Sequence, residues 1–494
     1  MTGLRVAGER RVVLLAALLV MILRLPFVGT SEGSDEGGYL AVAQQWHAGG
    51  PSLYSHYWVD RPPLLIAIFQ LASALGGLPG LRVIGAVAAA LAVVGAASAV
   101  RQVAGARAAG WTAVVTGVLL ACPLLGTVQV NGELLAAPFI AAGIAAAIAA
   151  CHALGAGRAR WCAFGTGACA VAALLVKQNM AEVFVFALVS WLVSGRRRPT
   201  LFVSAAAGAL ASLLVVGGWT VLHGSSLAGV YDATYPFRIK AAQVIAEHSG
   251  AADARRLHAL LVTWALSGAP VVLLALAWAL LRRRIRGAAA WGVLATIAYS
   301  TTSMLAGGGF WTHYLVEAVV PVSIAVGLLI GAELRLVRPA GVVIVAVAVV
   351  GWGIGLTLHS RQPGTTIGGA IGQAAQPGDS IISAFGDAET VSSSGLSSPY
   401  PYLWTLPAQT LDPRLTVLER TLHGPNAPTW FVSWDRPSFP RRRLEQLVAT
   451  VHSRYRAVAE ICGRSIYLRD GIDRPLPRQG KPCVEPSVLR IWSG

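Results

Sequence analysis

The feature that most restricts what this chain can become is a succession of apolar stretches, each on the order of 17 to 25 residues, the length of a helix that crosses a bilayer. They lie near 12–28, 82–100, 109–127, 134–151, 161–176, 180–194, 200–222, 259–281, 288–305, 312–333 and 339–358, about eleven crossings in all. With 55% of 494 residues hydrophobic and only 13% charged, the chain is too apolar for an ordinary soluble protein and reads as a polytopic α-helical membrane protein. The first stretch follows Arg5, Arg10 and Arg11 as a signal peptide would. No small-x-small cleavage site follows it and many further spans do, so it reads as a retained helix. A net charge of +16 would suggest a nucleic-acid partner in a soluble chain. Here Lys and Arg fall in short clusters between apolar runs, which is a topological pattern, and no nucleic acid is assigned.

The arginine clusters set the topology. An additional apolar run, Pro63 to Leu78, either crosses the membrane or lies along its surface. If it lies on the surface, the N-terminal arginines, Arg101/Arg107, Arg158/Arg160, Arg196 to Arg198, Arg282 to Arg286 and Arg335/Arg338 all share one side, which the positive-inside rule makes the cytoplasm. If it crosses, all but the first cluster move outside. The surface reading puts the N-terminus in the cytoplasm and gathers the unusual polar residues on the outer face of the plasma membrane. Residues 1–358 form the membrane module, with a first outer loop at 29–81.

From about Ser360 the composition turns to Pro, Ser, Asp and Arg, marking a soluble domain of ordinary size over 359–494. Ser380 to Phe385 and Trp430 to Trp434 read as buried strands, Arg442 to His452 as a helix, and Tyr455 to Ile461 with Ser465 to Arg469 as a closing strand pair. The expectation is a small extracytoplasmic α/β domain. In an oxidising compartment Cys462 and Cys483 would form a disulfide. The other four cysteines, Cys122, Cys151, Cys162 and Cys169, lie in or beside apolar segments without metal-ligand spacing.

The outer loop from Ser34 to Leu64 concentrates chemistry: Asp35, Glu36, Tyr39, His56, Asp60 and Arg61. Ser34 or Asp35 would cap a surface helix from Glu36 to His47 that lays Tyr39, Val42, Ala43 and Trp46 against lipid. Asp35 also suits a general base beside the membrane, where partial desolvation raises a carboxylate toward neutrality, with Glu36 in support. Asn131 and Glu133 mark the next outer turn, as helix cap or as substrate contact. Lys177 ends an apolar helix, either as a snorkelling anchor or as a ligand for an anion, and Gln178 and Asn179 follow it. Tyr235 and Arg238 sit in the long outer loop. His313 and Tyr314, after Gly307-Gly308-Gly309, fit an aromatic belt or a site, and Glu317 one turn on would be costly facing lipid.

Arg24-Leu25-Pro26 closing the first helix, Asp35-Glu36 with Tyr39, Arg61-Pro62-Pro63-Leu64 before an apolar surface helix, and Arg82 opening the next span together resemble the GT-C superfamily. The branch resembled is that of protein O-mannosyltransferases and aminoarabinose transferases, family 39-like. The resemblance covers the first hundred or so residues (roughly one helix pair and the outer loop) and loosens afterwards. It implies an inverting glycosyltransferase acting outside the cytoplasm, with a polyprenyl-phosphate-linked sugar as donor and Asp35 as base. Arg61 stands where aminoarabinose transferases typically have Lys. Arg61, Lys177, Arg238 and His313 are the candidates for the donor phosphate. Tyr39, His56, Asp60, Asn131, Glu133, Gln178, Asn179, Tyr235, Tyr314 and Glu317 are candidates for substrate contacts. A cell-envelope glycan or glycolipid is the expected acceptor, and mannose, then a pentose such as arabinose, the expected sugar. No cofactor or metal is assigned, with a divalent cation left open because some GT-C enzymes use one.

A transporter or lipid flippase is the main alternative. It would call for inverted repeats and ionisable residues near mid-bilayer, whereas these residues gather at one surface. A non-catalytic scaffold is the other. The topology is directly testable: a thiol reagent applied from outside is expected to label single cysteines placed at Asp35 and Pro425 and to miss those at Arg197 and Arg284. Reversed labelling at Asp35 removes the outer-face site.

Overall fold

The computed structural model describes residues 2–47, 53–195, 199–247, 250–334, 337–357, 362–434, 439–480 and 483. Helix α1 (Thr2–Arg24) leads into a polar loop that holds α2 (Ser34–Gln45) and α3 (Pro63–Ala74). Next come α4 (Leu78–Ala121), α5 (Gly132–His152), α6 (Ala156–Val176), α7 (Glu182–Val193) and α8 (Pro199–Leu222). A second polar stretch carries α9 (Leu227–Thr234) and α10 (Pro236–Glu247). It is followed by α11 (Ala251–Leu266), α12 (Ala269–Leu281), α13 (Ala288–Ala306), α14 (Val316–Gly331) and α15 (Val337–Thr357).

Among the described residues five helices are long and apolar enough to cross a membrane, or six if α11 and α12 form one bent span. The chain is a multi-pass membrane protein. Helix α4 is a pair of antiparallel halves: Gly105, at φ +83°, breaks it between Arg101 and Arg107, and Gly117 then faces Val93 across the turn. That left-handed backbone is open to glycine at little cost. The expected single span 259–281 is instead bent by 55°, because Gly268 adopts φ +74° and ends the first helical segment. Helix α7 has 12 residues, about 18 Å of rise, and is shorter than the stretch 180–194 suggested. Helix α3 is equally short, well under the roughly 30 Å of a hydrocarbon core.

Helix α14 is the hub. Every residue from Val316 to Leu329 is buried, and it packs on α4, α5, α12 and α13, as a helix that is apolar all round must. Helix α8 is the opposite case, with Val203, Leu214, Val215 and Leu222 exposed as a lipid-facing surface would be. It is held against α6 by small residues. A Cβ on Gly167 would strike the Ala205 carbonyl, and one on Gly208 the Phe164 carbonyl, so the two backbones touch directly.

The remainder mixes short helices with a four-stranded sheet. The elements are α16 (Pro363–Ala374), β1 (Ile381–Ala384), α17 (Glu389–Ser394), α18 (Thr405–Leu411), α19 (Thr416–His423), β2 (Trp430–Ser433), α20 (Arg441–Arg454), β3 (Tyr455–Ile461) and β4 (Arg464–Arg469). The strand order is β1-β2-β4-β3, with β1 and β2 parallel and the other pairs antiparallel. β1 (IISA) and β2 (WFVS) are buried on both faces and read as apolar runs, while β4 alternates, with Ile466 and Leu468 buried. A disulfide joins Cys462, in the β3–β4 turn, to Cys483.

Helix α2 departs from expectation in two ways. It starts at Ser34 with Gly33 as its N-cap, and Glu36 reaches back to accept the Gly33 N–H at 3.1 Å. Its Tyr39, Val42, Ala43 and Trp46 face protein, not lipid. Tyr39 packs edge-on against Phe69 of α3 at 5.4 Å and against Trp404 at 5.2 Å. The sheet-bearing part of the chain covers the face that an amphipathic pattern alone assigned to the membrane.

The α6–α8 contact gives a clear test. Gly208→Val is expected to cost about 1–3 kcal/mol through overpacking and to lower the thermal unfolding midpoint in detergent. Gly218→Ala on the same helix, where a Cβ meets nothing within 4 Å, is expected to leave the midpoint unchanged or raise it slightly.

Candidate active site

The site is assembled from two loops, the helices α2, α5 and α10, and the turn into α14. Asp35 and Tyr39 come from α2, and Asp60 and Arg61 from the loop before α3. Glu133 begins α5, and Lys177, Gln178 and Asn179 link α6 to α7. Arg238 lies on α10, and His313, Tyr314 and Glu317 open α14. Asp35 is half-buried and makes no hydrogen bond or ion pair among the described residues. It lies in electrostatic reach of Arg61, Tyr39 and His313.

Asp60 holds two cations at once. Its carboxylate meets Arg61 at 2.7 Å and Arg238 at 3.0 Å. Burial alone would push this carboxyl up, and the two guanidiniums overcome that and hold it below the usual carboxylate range. Arg61 also lies 5.7 Å from the Tyr39 ring centre. The group of one carboxylate and two guanidiniums carries a net positive charge. Glu133 forms the second cluster: it is ion-paired with Lys177 and lies 3.7 Å from His313 Nε2. Lys177 Nζ stands 4.5 Å over the Tyr314 ring. This cluster is close to neutral with His313 uncharged.

The α6–α7 loop pins these pieces together. Gln178 Nε2 donates to the Asp60 carbonyl at 3.1 Å. Asn179 Nδ2 donates to Glu317 Oε1 at 2.7 Å and to Ser303 at 2.8 Å, and the Tyr299 hydroxyl donates to the Asn179 carbonyl at 2.7 Å. The sequence Lys-Gln-Asn at the end of an apolar helix is thus a three-way clasp on α5, the first outer loop and α14.

Several expected site residues do other work. Glu36 is 0% exposed. It receives Arg82 at 2.7 Å, the Val130 N–H at 2.7 Å and the Gly33 N–H, so it holds the loop in place and faces no open space. Asn131 caps α5 by accepting the Leu134 N–H at 3.0 Å. Tyr235 is exposed and packs on Tyr231. His56 stacks on Tyr57 at 4.8 Å, and burial pushes its imidazole below the usual histidine value. These residues flank the charged clusters without entering them.

Sequence reasoning missed Glu182, Glu32, Glu389 and Arg256. Glu182 is fully buried and accepts the Ser300 hydroxyl at 3.3 Å. An acid inside the apolar stretch 180–194 was the available signal. Arg256 donates to the Gly309 carbonyl at 2.9 Å and covers the Trp311 ring at 4.6 Å, anchoring the glycine-rich turn before His313. Among the described residues no group of three or more His, Cys, Asp or Glu is placed to hold a metal ion. Asp60 and Glu133 are both engaged by cationic side chains, and a divalent cation would have to displace them.

No family model matches the sequence, and no curated protein matches it significantly. Solved structures do match in fold. ArnT, an aminoarabinose transferase from Cupriavidus metallidurans, in its structure bound to undecaprenyl phosphate, aligns over 93% of this chain and 98% of its own at 17% identity and a TM-score of 0.62. Its apo structure aligns with a TM-score of 0.60 at 16% identity over the same shares of the two chains. The Archaeoglobus fulgidus oligosaccharyltransferase, tethered to an acceptor peptide containing the NVT sequon, aligns over 86% of this chain and 69% of its own at 12% identity and a TM-score of 0.55. The chain has the GT-C fold.

The division between holding and open carboxylates is measurable as stability. Arg82→Met leaves Glu36 buried without its cation and is expected to cost about 3–5 kcal/mol. Asp35→Asn, at a half-buried and unpaired position, is expected to change stability by about 0.5 kcal/mol or less. Thermal unfolding of both variants in the same detergent checks the contrast.

Proposed function

We propose that the chain is an inverting glycosyltransferase that moves a sugar from a polyprenyl-phosphate donor to an acceptor hydroxyl at the outer face of the plasma membrane. The observation that carries this reading is Asp35: an accessible carboxylate left unpaired beside an excess of positive charge, on a GT-C fold. Asp35 takes the proton of the acceptor hydroxyl as its oxygen attacks the anomeric carbon. The bond from that carbon to the phosphate oxygen breaks on the opposite face, through an oxocarbenium-like state of the kind glycoside hydrolysis passes through. The polyprenyl phosphate departs with one more negative charge than it carried as the sugar ester. Cations facing it bind more tightly in the transition state than in the ground state, which is what accelerates the step.

The charge balance ranks the phosphate ligands. Arg61 and Arg238 share one carboxylate and retain a net positive charge, so they are the first candidates. Lys177 is neutralised by Glu133, which places it below Arg238. His313 and Tyr314 complete the wall on that side. In this reading the membrane topology is about eleven crossings, with the N-terminus cytoplasmic and the sheet-bearing part outside. The membrane lipid supplies the donor, and a cell-envelope glycan or glycolipid the acceptor. Mannose is the first sugar to try and a pentose such as arabinose the second. No step calls for a cofactor.

With polyprenyl-phosphate mannose and pentose donors, Asp35→Asn is expected to lower turnover by about 10²-fold or more while the donor KM stays near that of the wild type. Arg61→Ala and Arg238→Ala are expected to raise the donor KM as well as lower turnover, because each removes charge opposite the phosphate. Transfer by Asp35→Asn at the wild-type rate would rule out the proposed base.

A further inference from the structure

Two buried acids outside the site sit where the sheet-bearing part of the chain meets α2. Glu32, in the loop before α2, is 6% exposed and accepts hydrogen bonds from Ser392 and Ser393 of α17. Glu389, at the start of α17, is 1% exposed, hydrogen-bonds to the Ser34 side chain, and leaves its Oε2 without a partner. Neither forms an ion pair among the described residues.

The contact between these elements is at backbone distance. A Cβ on Gly37 would lie 2.6 Å from Glu389 Cα and 3.2 Å from Glu32 Cδ, and one on Gly38 would run into the Trp404 ring. The Ala388 N–H donates to Ser34 Oγ at 3.1 Å and the Gln362 N–H to Ser31 Oγ at 3.1 Å. Residues 34, 37 and 38 flank Asp35 and Glu36 in the first turns of α2. The turn of α2 that carries Asp35 is thus packed directly on the start of α17.

We propose that Glu389, together with Glu32, is a positioning residue: a two-carboxyl latch that seats the sheet-bearing part of the chain on the helix carrying Asp35. The role rests on the reading of Asp35 as base, but the latch itself is a matter of docking. The charged groups around it are few. Glu389 faces Asp387 and Glu32, and Glu32 faces Glu36 and Arg82, with Arg82 already committed to Glu36. Two unpaired carboxylates cannot both be charged at this depth without large cost. Burial accordingly pushes Glu389 well above the usual carboxylate range and Glu32 upward too. The docked state thus binds more protons than the undocked one. Docking is full at low pH, and weakens as pH rises past the ordinary carboxylate values toward the raised ones.

Hydrogen exchange on the full chain in nanodiscs tests this without any sugar transfer. In the wild type, the protection factor of 34–45 is expected to fall as pH rises above the ordinary carboxylate range, by up to about tenfold per pH unit for each carboxyl that ionises on undocking. Glu389→Gln and Glu32→Gln, which keep shape and remove the charge, are each expected to flatten that fall, while α14 stays protected throughout. Wild-type protection independent of pH, or an equal fall in both Gln variants, overturns the latch. If Glu389→Gln also loses protection in α14, Glu32→Gln alone decides. Where transfer is measured, the alkaline limb of wild-type turnover is expected to follow the exchange and to move upward in Glu389→Gln. A latch that holds in a protein that transfers no sugar would sink the proposed reaction and leave the latch standing.

Discussion

The buried ion pair between Glu36 and Arg82, 2.7 Å long with both side chains almost wholly enclosed, is the interaction on which the arrangement around the candidate site depends. Arg82 opens the first span after the outer loop and also donates to the Val128 and Ser31 carbonyls. Glu36 accepts from Gly33 and from Val130, just before the cap of α5. One pair of charges therefore ties together the loop, α2, α4 and the entry to α5. A pair buried this deeply gains little over an apolar alternative, since desolvation offsets most of the attraction, but it tolerates only one geometry. That geometry sets the turn on which Asp35, one residue away, is presented.

The same economy of charge runs through the rest of the site. Two of the deeply buried cations have a carboxylate, Arg82 with Glu36 and Lys177 with Glu133, while Arg24 donates to the Leu120 carbonyl at 3.0 Å. Each pair joins segments that are far apart in the chain. Lys177 comes from the end of α6 and Glu133 from the start of α5, and Arg238 reaches from α10 to Asp60 in the first loop. Membrane helices have little hydrophobic drive to associate with one another, so polar contacts near their ends and small residues along their lengths set their arrangement. The α6–α8 glycine contact supplies the second of these means.

The spans and strands were legible because their signals are local. Apolar length marked α5, α6 and α8, and the run Trp430 to Trp434 marked a strand from composition alone. Arginine clusters marked the break inside α4 before Gly105 was seen to make it. The partners of the charged residues were not legible. Asp35 and Glu36 are adjacent and chemically alike, yet one is open and one sealed, because helix geometry sends them to different sides of α2. The face of Tyr39, Val42, Ala43 and Trp46 has the pattern of a lipid-facing helix. Its true cover, Trp404, lies more than 350 residues away, and no periodicity could point to it. The free charge of Lys177 and Arg238 was not legible for the same reason: their carboxylate neighbours, Glu133 and Asp60, come from other segments.

For the proposed reaction, the arrangement around Asp60 bears on how the proposed base and the proposed phosphate ligands can stand side by side. A carboxylate next to an unpaired guanidinium would pair with it; at about 4 Å and an effective dielectric of about 20 the attraction is about 4 kcal/mol. Asp60 prevents this by holding Arg61 at 2.7 Å and Arg238 at 3.0 Å, while Gln178 holds the Asp60 backbone from the other side. The positive excess is then shared across two guanidiniums. In the proposed reaction an arriving phosphate would compete with one carboxylate for two cations, gaining charge-assisted hydrogen bonds without stripping Asp60 bare. For the proposed reaction, Asp60 is what lets the proton acceptor and the anion site occupy one pocket without neutralising each other.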